Sequence, residues 1–582
     1  MSLTFFPGEF VVIAGVSGGG KSTLINALNG KHRPTGKVLI NGHSLYDHLD
    51  SIRMKIGYVP QDDIVHLDLT VLEAIRYASR LRLPHASEAY RKGRVMQLME
   101  ELHLSHRKNT PIRKLSGGQR KRVSIAVELI SDPKLFFLDE ATSGLDPGTE
   151  HEIMLILRGL ADRGSTVALI THATQNVVIA DLVCFLAKGG RLAYFGSSSQ
   201  INAYFKTRSF DDIYKVLEKQ LSPQEWEARF HTSDTYEKYI VKRQETIPKN
   251  QDFPTAREPS YFHQWRTLCH RNSRILIRNK LNLALIVFVA PFLGSLNFAL
   301  WKSDIFSRKT GDAAQAIQML FVAVIMSVMA GSLSMMQEIA KEKAIYQRER
   351  SAGQGLTPYL MSKLFLATLL ALYQSAVLLL FMYLSVTMPE DTFTVSYMYL
   401  SMFLASLASM VLGLTVSAIA PNQNVTPLLT ILVLIPQVIF GGGILPVQDL
   451  NTVGRLINQV TITKYPFEAL VTLSQLGKEV ASDACWSRTD QARESLTPDQ
   501  IKACHCYGEE VFTKCEFPGL GKIDRTEKPP VDLLKFHLVI QSVYDKYKDI
   551  FSVNLVDNFI AMTGLIFGMI VLIFILMFAR GY

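Results

Sequence analysis

Two kinds of hydrophobic pattern divide the chain. Over residues 1–205, short β-rich apolar runs (Phe10 to Ala14, Ile56 to Pro60, Leu135 to Leu138, Thr166 to Thr171, Val183 to Leu186) alternate with longer helical stretches. This alternation predicts an α/β domain built on a mostly parallel sheet. Residues 206–265 turn polar and charged, with prolines that stop long elements, and predict a helix or two followed by a polar linker. From Leu281 onward, six segments carry no charged residue: 281–301, 313–336, 364–388, 397–420, 425–447 and 559–578. Each is long enough to cross the ~30 Å hydrocarbon core of a bilayer. Six such runs would leave a soluble domain no polar face, so residues 266–582 are expected to form an all-α transmembrane domain. Pro427, Pro436 and Pro446, with Gly441 to Gly443, are expected to kink or break the fifth segment.

The positions of the basic residues orient these spans. The run ending at Lys280, the segment Lys341 to Arg350 with Lys363, and Arg580 flank span ends and are expected on the cytoplasmic side. The loop 389–396 has no basic residue, and the long loop 448–558 is of mixed charge, so both are expected to face outward. Six crossings then put both termini and the α/β domain in the cytoplasm. The chain opens without a basic segment followed by an apolar stretch and a cleavage site, so no signal peptide is expected. With 61 Lys+Arg against 52 Asp+Glu in 582 residues, the excess of nine positive charges is too small and dispersed for a nucleic-acid binder.

Four of the six cysteines, Cys485, Cys504, Cys506 and Cys515, fall in the outward loop, where an oxidising compartment favours disulfides. Two pairings avoid the strained link across Cys504 and Cys506: Cys485–Cys504 with Cys506–Cys515, or Cys485–Cys506 with Cys504–Cys515. A metal site using His505 is the rival reading, with spacing unlike the usual paired arrangements. Cys184 and Cys269 lie on the cytoplasmic side and read as inert thiols.

The chemistry is concentrated in the first domain. Gly15-Val-Ser17-Gly18-Gly19-Gly20-Lys21-Ser22 sits between a strand and a helical run that begins at Thr23. It has the form of a phosphate-binding loop: glycines let backbone N–H groups converge on phosphate oxygens, Lys21 reaches the terminal phosphates, and the Ser22 hydroxyl ligates Mg²⁺. The strand Leu135 to Leu138 ends in Asp139 and Glu140, placing Asp139 as a further Mg²⁺ ligand and Glu140 as the group that orients or deprotonates the attacking water. Leu115-Ser116-Gly117-Gly118-Gln119 reads as a helix start with serine at the cap. The cofactors implied are ATP and Mg²⁺.

These motifs, with Gln61 after one strand, Ser143-Gly144-Leu145-Asp146 after the acidic pair and His172 after another strand, resemble in order and spacing the full set of the ATP-binding cassette ATPases. The resemblance implies that Gln61 senses Mg²⁺ and water and contacts the membrane domain. Ser116 and Gly118, with Gly117 and Gln119, would cap the γ-phosphate held by a partner cassette, Asp146 would lie at the dimer seam, and His172 would polarise the γ-phosphate and water. Family members carry an adenine-stacking aromatic well upstream of the phosphate loop, whereas Lys21 stands only twenty residues after Met1 here. Phe5 and Phe6 read as core instead.

A cassette followed by six spans, together with Arg120 to Pro133, the charged stretch Lys341 to Arg350, Phe440 to Leu445, Lys464 to Leu470 and the cysteine-bearing loop, resembles the G subfamily of ABC transporters, the white-type half transporters with ABC-2-type permeases, or a bacterial relative of them. The resemblance implies two chains, a second copy or a related half transporter, that sandwich two ATP molecules. Lys341 to Arg350 is the expected coupling element. Because the spans hold no Asp, Glu, Lys or Arg, a hydrophobic or amphipathic cargo such as a lipid is expected rather than an ion. The family's cavity would lie between the second and fifth spans, with Phe321, Met326, Leu432 and Phe440 as candidate contacts and Ile444 and Leu445 as an apolar gate. Export is the leading expectation; import, or an ATP-gated regulator that transports nothing, are the alternatives.

Overall fold

The computed structural model describes residues 1–172, 176–245, 260–508, 511, 514–522 and 531–580. It divides into two compact units, one formed by Met1–Arg278 with Ala344–Ser362, the other by Asn279–Lys343 with Lys363–Tyr582.

In the first unit, strands β1 (Phe10–Gly15), β4 (Ile56–Val59), β5 (Leu135–Asp139), β6 (Thr166–Ile170), β7 (Leu182–Ala187) and β8 (Arg191–Ser197) form one sheet in the order β4-β5-β6-β1-β7-β8. The small β2 (Leu39–Ile40) and β3 (His43–Ser44) make a separate ribbon. All neighbours in the large sheet are parallel except β8, which returns antiparallel to β7. Every residue of β1 is buried, because helices cover both faces of a parallel sheet and leave its strands no polar side. Parallel strands also share one carboxyl edge. Gly15 at the end of β1, Asp139 at the end of β5 and His172 just beyond β6 therefore arrive on the same side of the sheet, where ligands of open α/β folds bind.

Residues 206–245, expected as helix and linker, belong to this core. Helix Pro223–His231 buries Trp226 and Phe230 completely among Tyr194, Tyr204 and Phe205. Most of the charged residues that dominate the segment lie on its outer face and conceal these anchors in the sequence. The remainder of the expected linker, residues 246–259, lies outside the described residues. Phe5 packs against the core beside Phe195, and the Arg243 guanidinium covers Phe6.

The second unit is helical. Among the described residues, five helices or helical segments are long and apolar enough to cross a membrane: Lys280–Leu300, Ala313–Ser351, Leu356–Ser385, Thr392–Ile419 and Leu555–Ala579. Within Ala313–Ser351 the unbroken α-helix runs from Ala313 to Met335. The fifth segment, expected over 425–447, is helical only over Thr426–Ile439. At ~1.5 Å per residue, 14 residues fall short of a bilayer core. Pro436 lies inside the helix, which ends at Ile439, and Gly442 takes a positive φ of 90° that only glycine adopts without strain. The third helix starts earlier than the apolar pattern suggests because Lys363 is held inside it by Glu338 at 3.0 Å and Glu342 at 2.7 Å.

Helices Ala313–Met335 and Thr392–Ile419 pack along each other, and the latter packs on Leu555–Ala579. The first pair approach at small residues: a Cβ on Gly331 would lie 1.9 Å from Ser409 Oγ, and one on Gly413 would lie 2.6 Å from the Ser332 carbonyl oxygen. Ser327 and Ser406 hydrogen-bond across the same contact at 2.7 Å. In the long loop, Cys485 pairs with Cys504 and Cys506 with Cys515. Asp483 accepts the backbone N–H groups of Cys485 and Cys506, each at 2.8 Å, and so joins the two bridges. With all four sulfurs in disulfides, the metal reading around His505 has no thiolates left.

Candidate functional site

The loop after β1 folds as its glycines permit. Gly18 and Gly20 hold φ of 72° and 82°, and a Cβ on Gly15 would strike the Leu186 carbonyl oxygen at 2.2 Å. Gly20 stands at the N-cap of helix Lys21–Leu28 with no side chain to satisfy the first N–H groups, including those of Ser22 and Thr23, which leaves them to an anion. Lys21 is buried and donates to the carbonyls of Gly15 and Val16 at 2.8 and 3.0 Å, beside Ser17 and Gly19 in the same loop. Burial lowers its pKa, while Glu140 and Asp139 act in the opposite direction.

Ser22 Oγ donates to Asp139 Oδ1 at 3.3 Å. Burial pushes the Asp139 carboxyl up and the Ser22 hydroxyl pulls it back. This hydroxyl–carboxylate pair beside the phosphate loop is the all-oxygen donor set that Mg²⁺ takes, so the residues fit the ion. Glu140 adopts φ 48°, unusual for a residue with a side chain and common where function fixes the backbone. Its carboxylate is held on both sides, by Gln61 Nε2 at 2.9 Å and by His172 Nε2 at 3.1 Å. The structure thus gathers Gln61, Asp139, Glu140 and His172 around the phosphate loop.

Ser116 and Gln119 form a capping box at the start of helix Gly117–Leu129, and Asp146 caps Pro147–Asp162 by accepting the Thr149 N–H at 3.0 Å. Ser116, Gly117 and Asp146 are exposed. Gly118 has a structural reason to be glycine, since a Cβ there would lie 2.9 Å from Thr149.

Three groups escape a motif reading. Buried Lys121 donates to the Gln61 carbonyl oxygen at 2.7 Å and pairs with Asp63 at 3.2 Å, tying the Gln61 segment to helix Gly117–Leu129. Tyr214 packs edge-on against Phe185, lies beside the His172 ring and turns its hydroxyl to the Gly15 backbone; burial pushes this phenol up to about 12. Glu128 is fully buried between Arg82 and Arg348, each at 2.6 Å. Arg348 also donates to the carbonyl oxygens of Ile64 and Ser124. Burial alone would raise the Glu128 pKa, but the two guanidinium charges outweigh it and hold the carboxyl below its usual value. A signal for Arg348 was present in the charged run Lys341 to Arg350, but its partner lies 220 residues away.

The candidate cargo contacts do not share one surface. Phe321 is buried under Gly441 and Gly443 and edge-on to Phe467, and Met326 is buried in the same helix. Phe321 fills the notch that the glycine turn leaves. Leu432, Ile444 and Leu445 are exposed, and Phe440 is half-buried.

Residues 1–143 match the family model described as ABC transporter, and residues 263–473 match ABC-2 type transporter. An ABC transporter ATP-binding/permease protein of Mycobacterium tuberculosis is 33% identical over 84% of this chain and 58% of its own length. ATP-binding cassette sub-family G member 5 of Mus musculus is 27% identical over 81% of this chain and 78% of its own. The broad substrate specificity ATP-binding cassette transporter of Rattus norvegicus is 28% identical over 80% and 78%. The chain spans under two thirds of the mycobacterial relative. With the phosphate loop, acidic pair and histidine assembled on one sheet edge and followed by an ABC-2 type membrane region, the chain belongs to the ABC transporters and is related to their G-family half transporters.

Proposed function

We propose that this chain is one half of a dimeric, ATP-driven membrane transporter that exports a hydrophobic or amphipathic compound such as a lipid, with the ATPase unit and both termini in the cytoplasm, the short helix Thr426–Ile439 together with the apolar stretch 440–447 after it completing the sixth crossing. The observation that carries the reading is Arg348. It comes from the segment joining the second and third apolar helices, yet it grips Glu128 on helix Gly117–Leu129 and the Ile64 carbonyl oxygen behind Gln61. A side chain so placed transmits movement of the Gln61 segment to the helices that flank it in sequence.

Within the ATPase unit, Lys21 and the open N–H groups of its helix bind and orient the phosphates. Ser22 and Asp139 would hold Mg²⁺, which neutralises phosphate charge when bound. Glu140 accepts the proton of the attacking water at its carboxylate, while Gln61 and His172 fix that carboxylate in position. One chain has a single phosphate loop and a single Ser116-Gly117-Gly118-Gln119. The exposure of Ser116, Gly117 and Asp146 supports a second cassette, a copy or a related half, closing over each nucleotide. Binding that favours the closed pair shifts the population of the attached membrane helices.

The test is ATP hydrolysis by the chain in lipid nanodiscs, with a panel of amphipathic compounds, beside Arg348→Gln. Wild-type hydrolysis should change with some compounds, and Arg348→Gln should hydrolyse ATP but lose that response. A response of undiminished size in the variant would defeat the proposed coupling.

A further inference from the structure

The first unit contains a cavity apart from the phosphate loop. Helices Val71–Arg82 and Gly117–Leu129 wall it with Ala78, Leu81 and Val127, Leu69 comes from the loop that follows Gln61, and Ile345 comes from the segment 344–362 of the same unit. Its empty volume, mouth included, is ≈ 640 Å³, within the range that small organic ligands occupy. The charged groups on its wall are already matched: Arg271 pairs with Glu349, and Arg82 and Arg348 pair with Glu128. A charged ligand would have to break one of these buried pairs to be recognised.

One polar wall residue is uncommitted. Gln354 is 4% exposed, and among the described residues neither the nitrogen nor the oxygen of its side-chain amide has a hydrogen-bond partner. The backbone that carries it is fixed. Its N–H donates to the Glu349 carbonyl oxygen at 3.0 Å, its carbonyl oxygen accepts from Arg350 at 3.1 Å, and Gln264 accepts the Gly355 N–H at 2.8 Å. A held turn thus presents one buried donor and one buried acceptor to a cavity walled mostly by carbon. Buried amides are almost always partnered, because an unmet donor or acceptor away from water costs free energy. Water is a poor occupant here: each molecule needs two to four polar partners, and this wall offers few that are uncommitted. A molecule with an apolar body and one amide-like end satisfies both the carbon wall and Gln354.

We propose that this cavity is a binding site for an uncharged, largely apolar small molecule that ends in a carboxamide or an equivalent donor–acceptor pair, with Gln354 as the group that recognises that end. The site lies wholly within the ATPase unit, so it stands independently of the transport reading. An occupant would touch Leu69 and Ile345 together, and its bulk would limit how far the loop behind Gln61 moves toward the segment 344–362.

The test uses the full chain in nanodiscs and two photoprobes: 4-benzoylbenzamide, which carries the carboxamide, and benzophenone, which has the same photochemistry without it. Labelled peptides are mapped by mass spectrometry, so probe dissolved in the lipid is not counted. Labelling by 4-benzoylbenzamide within residues 64–82 or 345–354 should saturate, and benzophenone should need a roughly tenfold higher concentration, the factor expected of a hydrogen-bonded amide pair made in a buried site. Gln354→Met should bring the two probes to the same half-saturating concentration. Its thermal midpoint should not fall, because a thioether asks for no partner. Earlier unfolding of Gln354→Met would show that the amide holds the fold and would overturn its role in recognition. Labelling of these segments that never saturates, the result for a cavity holding only water, would overturn the site. Equal half-saturation of the two probes in the wild type would overturn the carboxamide assignment. Each of these results leaves the response of ATP hydrolysis to amphipathic compounds, on which the transport reading is judged, untouched.

Discussion

Replacing Glu128 with glutamine tests how the ATPase unit is held together. Glu128 is 2% exposed, and the guanidinium groups of Arg82 and Arg348 are nearly as deep. Glutamine keeps the shape but removes the charge, leaving two buried cations facing a neutral amide. Breaking a buried ion pair from one side costs about 3–5 kcal/mol, much of it the desolvation of the charge left behind. In a unit of this size about 1 kcal/mol shifts the midpoint by ~2–4 °C, so Glu128→Gln should unfold roughly 6–20 °C earlier. Arg348→Gln should lose about half as much, because Arg82 still neutralises Glu128. Buried Trp226 reports the transition by fluorescence. The carboxyl sits below its usual value in the folded state, so its stabilisation is complete above the unfolded pKa of ~4.3 and disappears as pH falls through the lower, folded one. The gap between wild type and Glu128→Gln should close in strong acid. A Glu128→Gln midpoint within ~2 °C of wild type at neutral pH would refute the reasoning.

Glu140→Gln should lower ATP hydrolysis by roughly 10²–10⁴-fold, and Lys21→Met should weaken ATP binding as well; nucleotide-binding and phosphate-release assays separate the two. Tyr214→Phe keeps the ring against Phe185 and His172 but loses the hydroxyl at Gly15, so KM for ATP should rise a few-fold with kcat nearly unchanged, whereas Tyr214→Ala should lower kcat too. Removing either disulfide should cost about 3 kcal/mol, from closed loops of 19 and 9 residues, and paired Cys→Ser variants should show it as faster proteolysis of the 485–515 region. Burial lowers the pKa of His537 to about 4, with Arg493 adding to the effect. An unfolded histidine titrates near ~6.5, so this group stabilises the fold above that pH and the contribution fades toward pH 4. The loss, ~1–2 kcal/mol after screening of the partly exposed ring, should be absent in His537→Gln.

The phosphate loop, the acidic pair and the helix cap at Ser116 were legible in the sequence because each is a local geometry, written in glycines and caps within ten residues. Gln61 and His172 were legible only through their order along the chain. Lys121, Tyr214 and Glu128 were not, since what makes them functional is a partner distant in sequence: Gln61 for Lys121, Gly15 for Tyr214, Arg348 for Glu128. Apolar identity also does not say where a residue faces. Phe321 and Leu432 look alike in a hydrophobic run, yet one fills a glycine notch and the other is 63% exposed. The fifth helix stops short because glycines outweigh apolar length, and residues 206–245 join the core because Trp226 and Phe230 outweigh a charged surround.

The crossing at Gly331 and Gly413 sets a rule for motion in the helical unit. Each glycine is a notch cut for the other helix, one receiving Ser409 and the other the Ser332 backbone. Reciprocal notches work as a mortise: sliding by a turn in either direction would drive a side chain against backbone, and rolling would break the Ser327–Ser406 bond. The two helices therefore form a single stiff strut, and any rearrangement must bend the connections at its ends or shift the helices around it.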